Sequence, residues 1–238
     1  MDAALAAVFL VPGLALGSFL NVVAARVPLR RSIVRPRSSC MSCGTEIVWY
    51  DNVPLLSYAL LRGRCRSCGV RISLRYPLVE LVTALLVAGC VGTFGLSTEA
   101  AVASLFCAAL VAVSATDLEH GVVPDRIVLP VAAVLLVAQT LLHPSVEWVV
   151  AALGAAGAML ALKVVYPAGL GMGDVKLALL LGAMLGRHVP VAVAVAAVAA
   201  LVPALVLVAR RGARARKLLI PFAPFLALGG VVTLFVYA

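Results

Sequence analysis

Charge is scarce in this sequence. Only 12% of its 238 residues are Asp, Glu, Lys or Arg, while 64% are hydrophobic and the mean hydropathy is +1.14. Soluble domains run about 45–50% apolar and about 25% charged, so one or two soluble domains are excluded. Disorder is excluded too, because disordered chains are poor in apolar residues and rich in charge. The solvent this composition requires is the lipid bilayer. Histidine is scarce, and His120, His143 and His188 have no ligand spacing. No glycine-rich nucleotide loop, internal repeat or low-complexity linker is present, and nothing resembles an activated serine or cysteine nucleophile. Lysine is also rare, with 3 against 16 arginines, a compositional bias to which no function is attached.

What is abundant is the long apolar run. A bilayer core about 30 Å thick needs about 20 apolar residues per helix. Eight runs meet or approach that length: 3–25, 77–95, 100–116, 126–142, 147–166, 175–187, 189–209 and 218–237. The expected fold is therefore an all-α polytopic membrane protein of about eight transmembrane helices. The first run lacks a basic leader and a small-residue cleavage pattern and is read as a span. Basic residues favour cytoplasmic loops. With both termini outside, segment 26–76 faces the cytoplasm with ten arginines. Arg126, Lys163, Lys176, Arg210, Arg211, Arg214, Arg216 and Lys217 then fall inside as well, leaving Arg187 outside with Asp2, Glu99 and Glu147. The net charge of +9 is thus a topology signal, and no nucleic-acid partner is expected. Three parts follow: a first helix at 1–25, a cytoplasmic module at 26–76 and a membrane core at 77–238.

The module carries Cys40-Met-Ser-Cys43-Gly44 and Cys65-Arg-Ser-Cys68-Gly69. Two Cys-x-x-Cys pairs at this separation are read as a tetrahedral zinc site. The cytosol is reducing, so disulfides do not persist there. A segment of about fifty residues with few apolar side chains needs a metal to fold. Four thiolate ligands leave no open position, so the zinc is expected to be structural. Unligated thiols or a redox pair are the alternative. Cys90 and Cys107 lie singly within spans and read as packing residues.

Ionisable groups at membrane depth cost about 2.5–3.5 kcal/mol on insertion scales, so each calls for a reason. Two segments stand out: Thr116-Asp117-Leu118-Glu119-His120-Gly121-Val122-Val123-Pro124-Asp125, and Gly171-Met172-Gly173-Asp174-Val175-Lys176. Both fall at the cytoplasmic face. Two facing carboxylates cannot both ionise, so one can take a proton from water while the other protonates a leaving amine. Gly171 and Gly173 would let a backbone, including a substrate strand, approach Asp174 closely. The plainer reading makes Asp174 and Asp125 helix N-caps and Asp117 an interfacial acid. Intramembrane acids also mark proton relays, so a transporter or membrane scaffold is the non-enzymatic alternative.

Taken in order, these segments resemble the bacterial type IV prepilin peptidases, membrane aspartyl proteases of the Gly-x-Gly-Asp class. Gly17-Ser18-Phe19-Leu20-Asn21 with Arg26-Val27-Pro28 is similar to the family's opening. The two cysteine pairs, Arg75-Tyr76-Pro77-Leu78-Val79-Glu80-Leu81, Asp117 with Pro124-Asp125, and Gly171-Met172-Gly173-Asp174 follow in family order. The resemblance implies that Asp117 and Asp174 are the catalytic pair, with Gly171, Gly173, Lys176, Glu119 and Asp125 in the surrounding loops. It implies cleavage of the basic leader of prepilins or pseudopilins after a glycine, at the cytoplasmic face of the bacterial inner membrane. Many members then methylate the new amine with S-adenosylmethionine; others could act as proteases only. Glu119 stands where many relatives carry a second Asp, which leaves it a minor candidate for acid–base work. Val123 precedes Pro124 where Ile or Leu is commoner.

Overall fold

A backbone in hydrocarbon has no partner but itself, and a helix satisfies every interior N–H and C=O within one segment. The computed structural model, which describes residues 3–167, 169–211 and 221–238, follows that rule: every regular element among them is helical. Arg214, Arg216, Lys217 and Asp2, with the opening residues of the run expected from 218, lie outside the described residues. The chain divides into two units, Met1–Ala115 and Thr116–Ala238.

In the first unit, α1 (Ala3–Val8) and α2 (Leu10–Arg26) form one apolar run interrupted at Phe9. Pro12 cannot donate to the Val8 carbonyl, which accounts for the break. The short α3 (Leu56–Leu60) belongs to the cysteine module, and α4 (Arg75–Phe94) returns along α2. Their approach is unusually close. A Cβ on Gly13 would lie 2.6 Å from Ala84 Cα, and one on Gly17 would lie 2.6 Å from Glu80 Cα. This is the small-xxx-small packing that membrane helices use where hydrophobicity cannot drive association. α5 (Thr98–His120) runs to the unit boundary, and its last residues, from Thr116 onward, belong to the second unit.

The second unit holds α6 (Asp125–Leu142), α7 (Glu147–Val165), α8 (Met172–Leu185), α9 (Val189–Arg211) and α10 (Ala223–Val236). α7 and α8 pack through Gly182, where a Cβ would lie 2.5 Å from Ala152 Cα. Gly229 of α10 packs as closely on Ala192 of α9. The outward faces carry exposed Val149, Val150, Leu153, Val198 and Leu205, as a bilayer solvent requires.

Six helices among the described residues are long and apolar enough to cross a membrane, against about eight expected. The difference has two sources. The runs expected at 175–187 and 189–209 form one apolar stretch, Met172–Arg210, and α10 has only 14 described residues. That stretch nevertheless folds back at the 3-10 turn Gly186–His188, with Gly186 at φ +53°. The Ala223 amide at the start of α10 reaches Asp117 at the end of α5, and Val123, just beyond that helix end, packs on Gly173 at the start of α8, so α10 and α8 begin at the same end. At the opposite end His188 stacks on Tyr237 with ring centroids 4.1 Å apart. α9 therefore leaves that end antiparallel to both.

Candidate active site

Asp117 lies in the last turn of α5 and is 9% exposed. The helix stops just beyond it because Gly121, at φ +63°, takes the left-handed conformation that closes helix C-termini, donating its amide to the Asp117 carbonyl at 2.9 Å. The Asp117 carboxylate accepts the Ala223 amide at 3.2 Å. Ala223 is the first residue of α10, where amides have no helical acceptor and the helix dipole favours negative charge. Pro224 has no amide to compete.

Asp174 is 8% exposed and sits three residues inside α8, whose N-cap is Gly171. The plainer reading, in which Asp174 is itself the cap, does not hold: its Oδ2 reaches back to accept the Gly171 amide at 2.9 Å. Asp125 is likewise not a cap, since Pro124 holds that position and Asp125 is the first residue of α6. Both aspartates belong to the second unit, where the contact of Val123 with Gly173 brings the end of α5 to the start of α8. The sequence separation of the two motifs is thus closed by the packing of one unit.

Three contacts hold the site's edges. The Val123 side chain fills the space a Cβ on Gly173 would need, with Val123 Cβ 2.7 Å from that position. This corrects the expectation that Gly173 leaves room for a strand; it seats the Pro124 loop on α8. Gly171 is the more open glycine, with only Asp174 Oδ2, at 3.5 Å, and the Gly173 backbone near its Cβ position. Lys176 pairs with Asp125 at 2.5 Å, tying α8 to the start of α6. Glu119 is exposed, pairs with His120 at 3.5 Å and lies two residues from Asp117, so helical geometry turns it away from the carboxylate pair.

Sequence reasoning missed two contributors. The Ala223 amide belongs to the backbone and leaves no side-chain signature beyond the Pro-Phe-Ala-Pro stretch. Lys163, read only as an inner-loop charge, lies in the last turn of α7, the helix that packs on α8.

In the first unit, Cys40, Cys43, Cys65 and Cys68 bring their sulfurs within 4.8 Å of one another. Their two loops are near copies. Gly44 at φ +72° and Gly69 at φ +71° turn each loop, and the Cys40 and Cys65 amides each donate at 2.9 Å, to the Thr45 and Val70 carbonyls. Cys40 Sγ and Cys68 Sγ are 3.8 Å apart, the edge of a tetrahedron with metal–sulfur bonds of about 2.3 Å. The Thr45 hydroxyl, together with its backbone, pulls the Cys43 thiol down to about 6, toward the thiolate a metal needs. The cluster can hold a metal ion. Beside it, Arg66 grips Asp51 through two bonds of 2.7 and 2.6 Å and holds its carboxyl below the ordinary range.

Two family models match the chain: the bacterial Peptidase A24 N-terminal domain over residues 11–94, and the type IV leader peptidase family over residues 104–205. Relatives named prepilin leader peptidase/N-methyltransferase include one from Burkholderia pseudomallei (strain 1026b), 39% identical over 95% of this chain and 84% of its own length. One from Bacillus subtilis (strain 168) is 38% identical over 92% of this chain and 90% of its own. One from Myxococcus xanthus (strain DK1622) is 54% identical, but over 52% of this chain and 37% of its own length. No solved structure matches.

Proposed function

The chain belongs to the type IV leader peptidase family, and on that premise we propose that it cuts the basic leader from prepilins and pseudopilins and N-methylates the amine that cleavage exposes. The observation that carries the peptidase half is the burial of two carboxylates, Asp117 and Asp174, at the same end of one unit. Facing carboxylates share a proton. The ionised one draws a proton from water as the oxygen attacks the scissile carbonyl, and the protonated one gives its proton to the departing amine. No covalent acyl-enzyme is needed. The Ala223 and Gly171 amides fix the two carboxylates from helix N-terminal turns, so neither must be reoriented during the reaction.

The two buried aspartates lie at one end of the second unit together with Asp125, Lys163, Lys176 and Arg126, and Glu147 lies at the other beside Arg187. That favours hydrolysis at an interface over a proton relay, which needs acids along the depth of the membrane. With that end at the cytoplasmic face of the inner membrane, it meets the junction between a basic leader and an apolar pilin helix. The four cysteines suit zinc, which would be held by four thiolates and would supply structural cross-linking of the 26–76 module. The methyl donor fitting the family name is S-adenosylmethionine.

N-terminal sequencing of a purified prepilin after exposure to the protein tests the proposal. Wild type should yield a new terminus immediately after the glycine, and Asp174→Asn should yield none. Cleavage by Asp174→Asn at the wild-type rate would overturn the assignment. Labelled S-adenosylmethionine should mark that new terminus; no transfer under cleaving conditions would remove the methylation half.

A further inference from the structure

A cavity of about 780 Å³ in the first unit has Asn21 and Glu80 among the side chains that line it. The two are 4% and 9% exposed, and helix register makes them neighbours. A Cβ on Gly17, one turn before Asn21, would meet Glu80 Cα, and the Asn21 amide donates to the carbonyl of Tyr76, one turn before Glu80, at 3.1 Å. That bond fixes the orientation of the Asn21 carboxamide and leaves its Oδ1 buried with no hydrogen-bond partner. Glu80 accepts the Leu55 amide through Oε2 at 2.9 Å. Leu55 is at φ +57°, so the module's backbone is bent at that residue where it meets the carboxylate. Such strain persists only where the surroundings hold it.

The floor is therefore a carboxylate, already met by the Leu55 amide and the Ser18 side chain, beside the orphaned carbonyl oxygen of Asn21. An isolated buried acceptor is costly unless something donates to it. Two of the arginines lining the same cavity are engaged elsewhere: Arg26 donates to the Ser32 and Arg37 carbonyls at 3.0 and 3.4 Å, and Arg66 to Asp51. The ligand chemistry that completes the floor is a cationic donor, and its place on two apolar helices puts it within reach of an apolar peptide.

We propose that Glu80 and Asn21 receive the free α-amino terminus of the cleaved substrate and that Glu80 takes its proton for methyl transfer, an assignment that rests on the N-methylation reading above. The ammonium loses one proton to Glu80, and the freed nitrogen lone pair forms the N–C bond. The S–C bond of a sulfonium donor breaks with its electron pair left on sulfur, and Glu80 returns its proton to water. Arg31 and Arg71, which also line the cavity, suit the donor's carboxylate.

The test uses full-length protein in detergent and two synthetic probes, an apolar peptide with a free N-terminus and its N-acetylated twin, with binding followed by titration calorimetry. Wild type should bind the free amine at least tenfold tighter, and Glu80→Gln should erase that preference. Equal affinity of wild type for both peptides, or a preference unchanged in Glu80→Gln, would overturn the proposal without any variant having to turn over. Metal content and melting temperature show that Glu80→Gln is folded; if it is not, the wild-type comparison and Asn21→Leu, expected to weaken the preference, decide. Binding of S-adenosylmethionine against its neutral thioether product separates the sources of positive charge. A Glu80→Gln loss confined to the sulfonium would assign the floor to the donor and overturn the amine reading. Wild type that binds the free amine but transfers no methyl would sink the N-methylation reading while leaving the amine site standing.

Discussion

Each catalytic candidate is held by one main-chain amide, and the sequence showed the acids but not the amides. Asp117 and Asp174 were legible because a carboxylate within an apolar run needs a reason. Val123 was not, because an apolar residue before a proline carries no signal until Gly173 is seen to accommodate it. A Cβ at Gly173 would lie 2.7 Å from Val123 Cβ, and overpacking of this kind costs about 1–3 kcal/mol. Gly173→Ala should therefore slow leader cleavage about tenfold or more by displacing the Pro124 loop. Adding Val123→Ala should recover most of the loss. A double variant as slow as Gly173→Ala alone would show that the glycine serves something other than this contact. At Lys176, the pair with Asp125 is partly exposed, and such pairs are worth about 0–1 kcal/mol. Lys176→Met should leave the melting temperature within a few degrees of wild type.

Helix ends and close helix crossings do the positioning, and they were unevenly readable. Gly95, Gly121 and Gly186 all follow helix ends with positive φ, so those boundaries could be placed within a few residues. The return of the chain at Gly186–His188 was foreseen as a break between two runs, whereas α10 is described over only 14 residues. The start of α10 beside Asp117 was hidden, since a free amide belongs to every helix N-terminus. Ala223→Pro removes that donor at a helix position where proline is tolerated. Hydrogen bonds to charged groups are worth about 1.5–3 kcal/mol; cleavage should fall about 10- to 100-fold with little loss of helix content by circular dichroism. Unchanged kinetics would show that the amide does not serve Asp117. In the first unit, Gly17 faces Glu80 Cα at 2.6 Å from its Cβ position, whereas Gly92 would meet Ala6 Cβ at an ordinary 3.5 Å. Gly17→Leu should lower the melting temperature by several degrees and Gly92→Ala should not; equal effects would refute close packing of α2 on α4.

At the scale of the whole chain, composition announced the membrane and cysteine spacing announced the four-cysteine cluster, because bilayer thickness and ligand geometry are rigid constraints. The cavity over Asn21 and Glu80 was not legible, since it arises from tertiary packing of a module on two helices. Structural zinc contributes about 10–16 kcal/mol to small metal domains, so a strong chelator should open residues 27–74 to proteolysis while the helices stay protected; a resistant module would argue against a structural metal. The proposed peptidase mechanism depends on two carboxylates acting as one device, and residues that act as a unit are strongly non-additive. Cleavage rates of wild type, Asp117→Asn, Asp174→Asn and the double variant on one prepilin measure this most directly. The account predicts that each single variant loses at least a thousandfold and that the double variant is no slower than either. Two partial losses that multiply in the double variant would mean that the carboxylates work independently, contradicting a shared hydrolytic site.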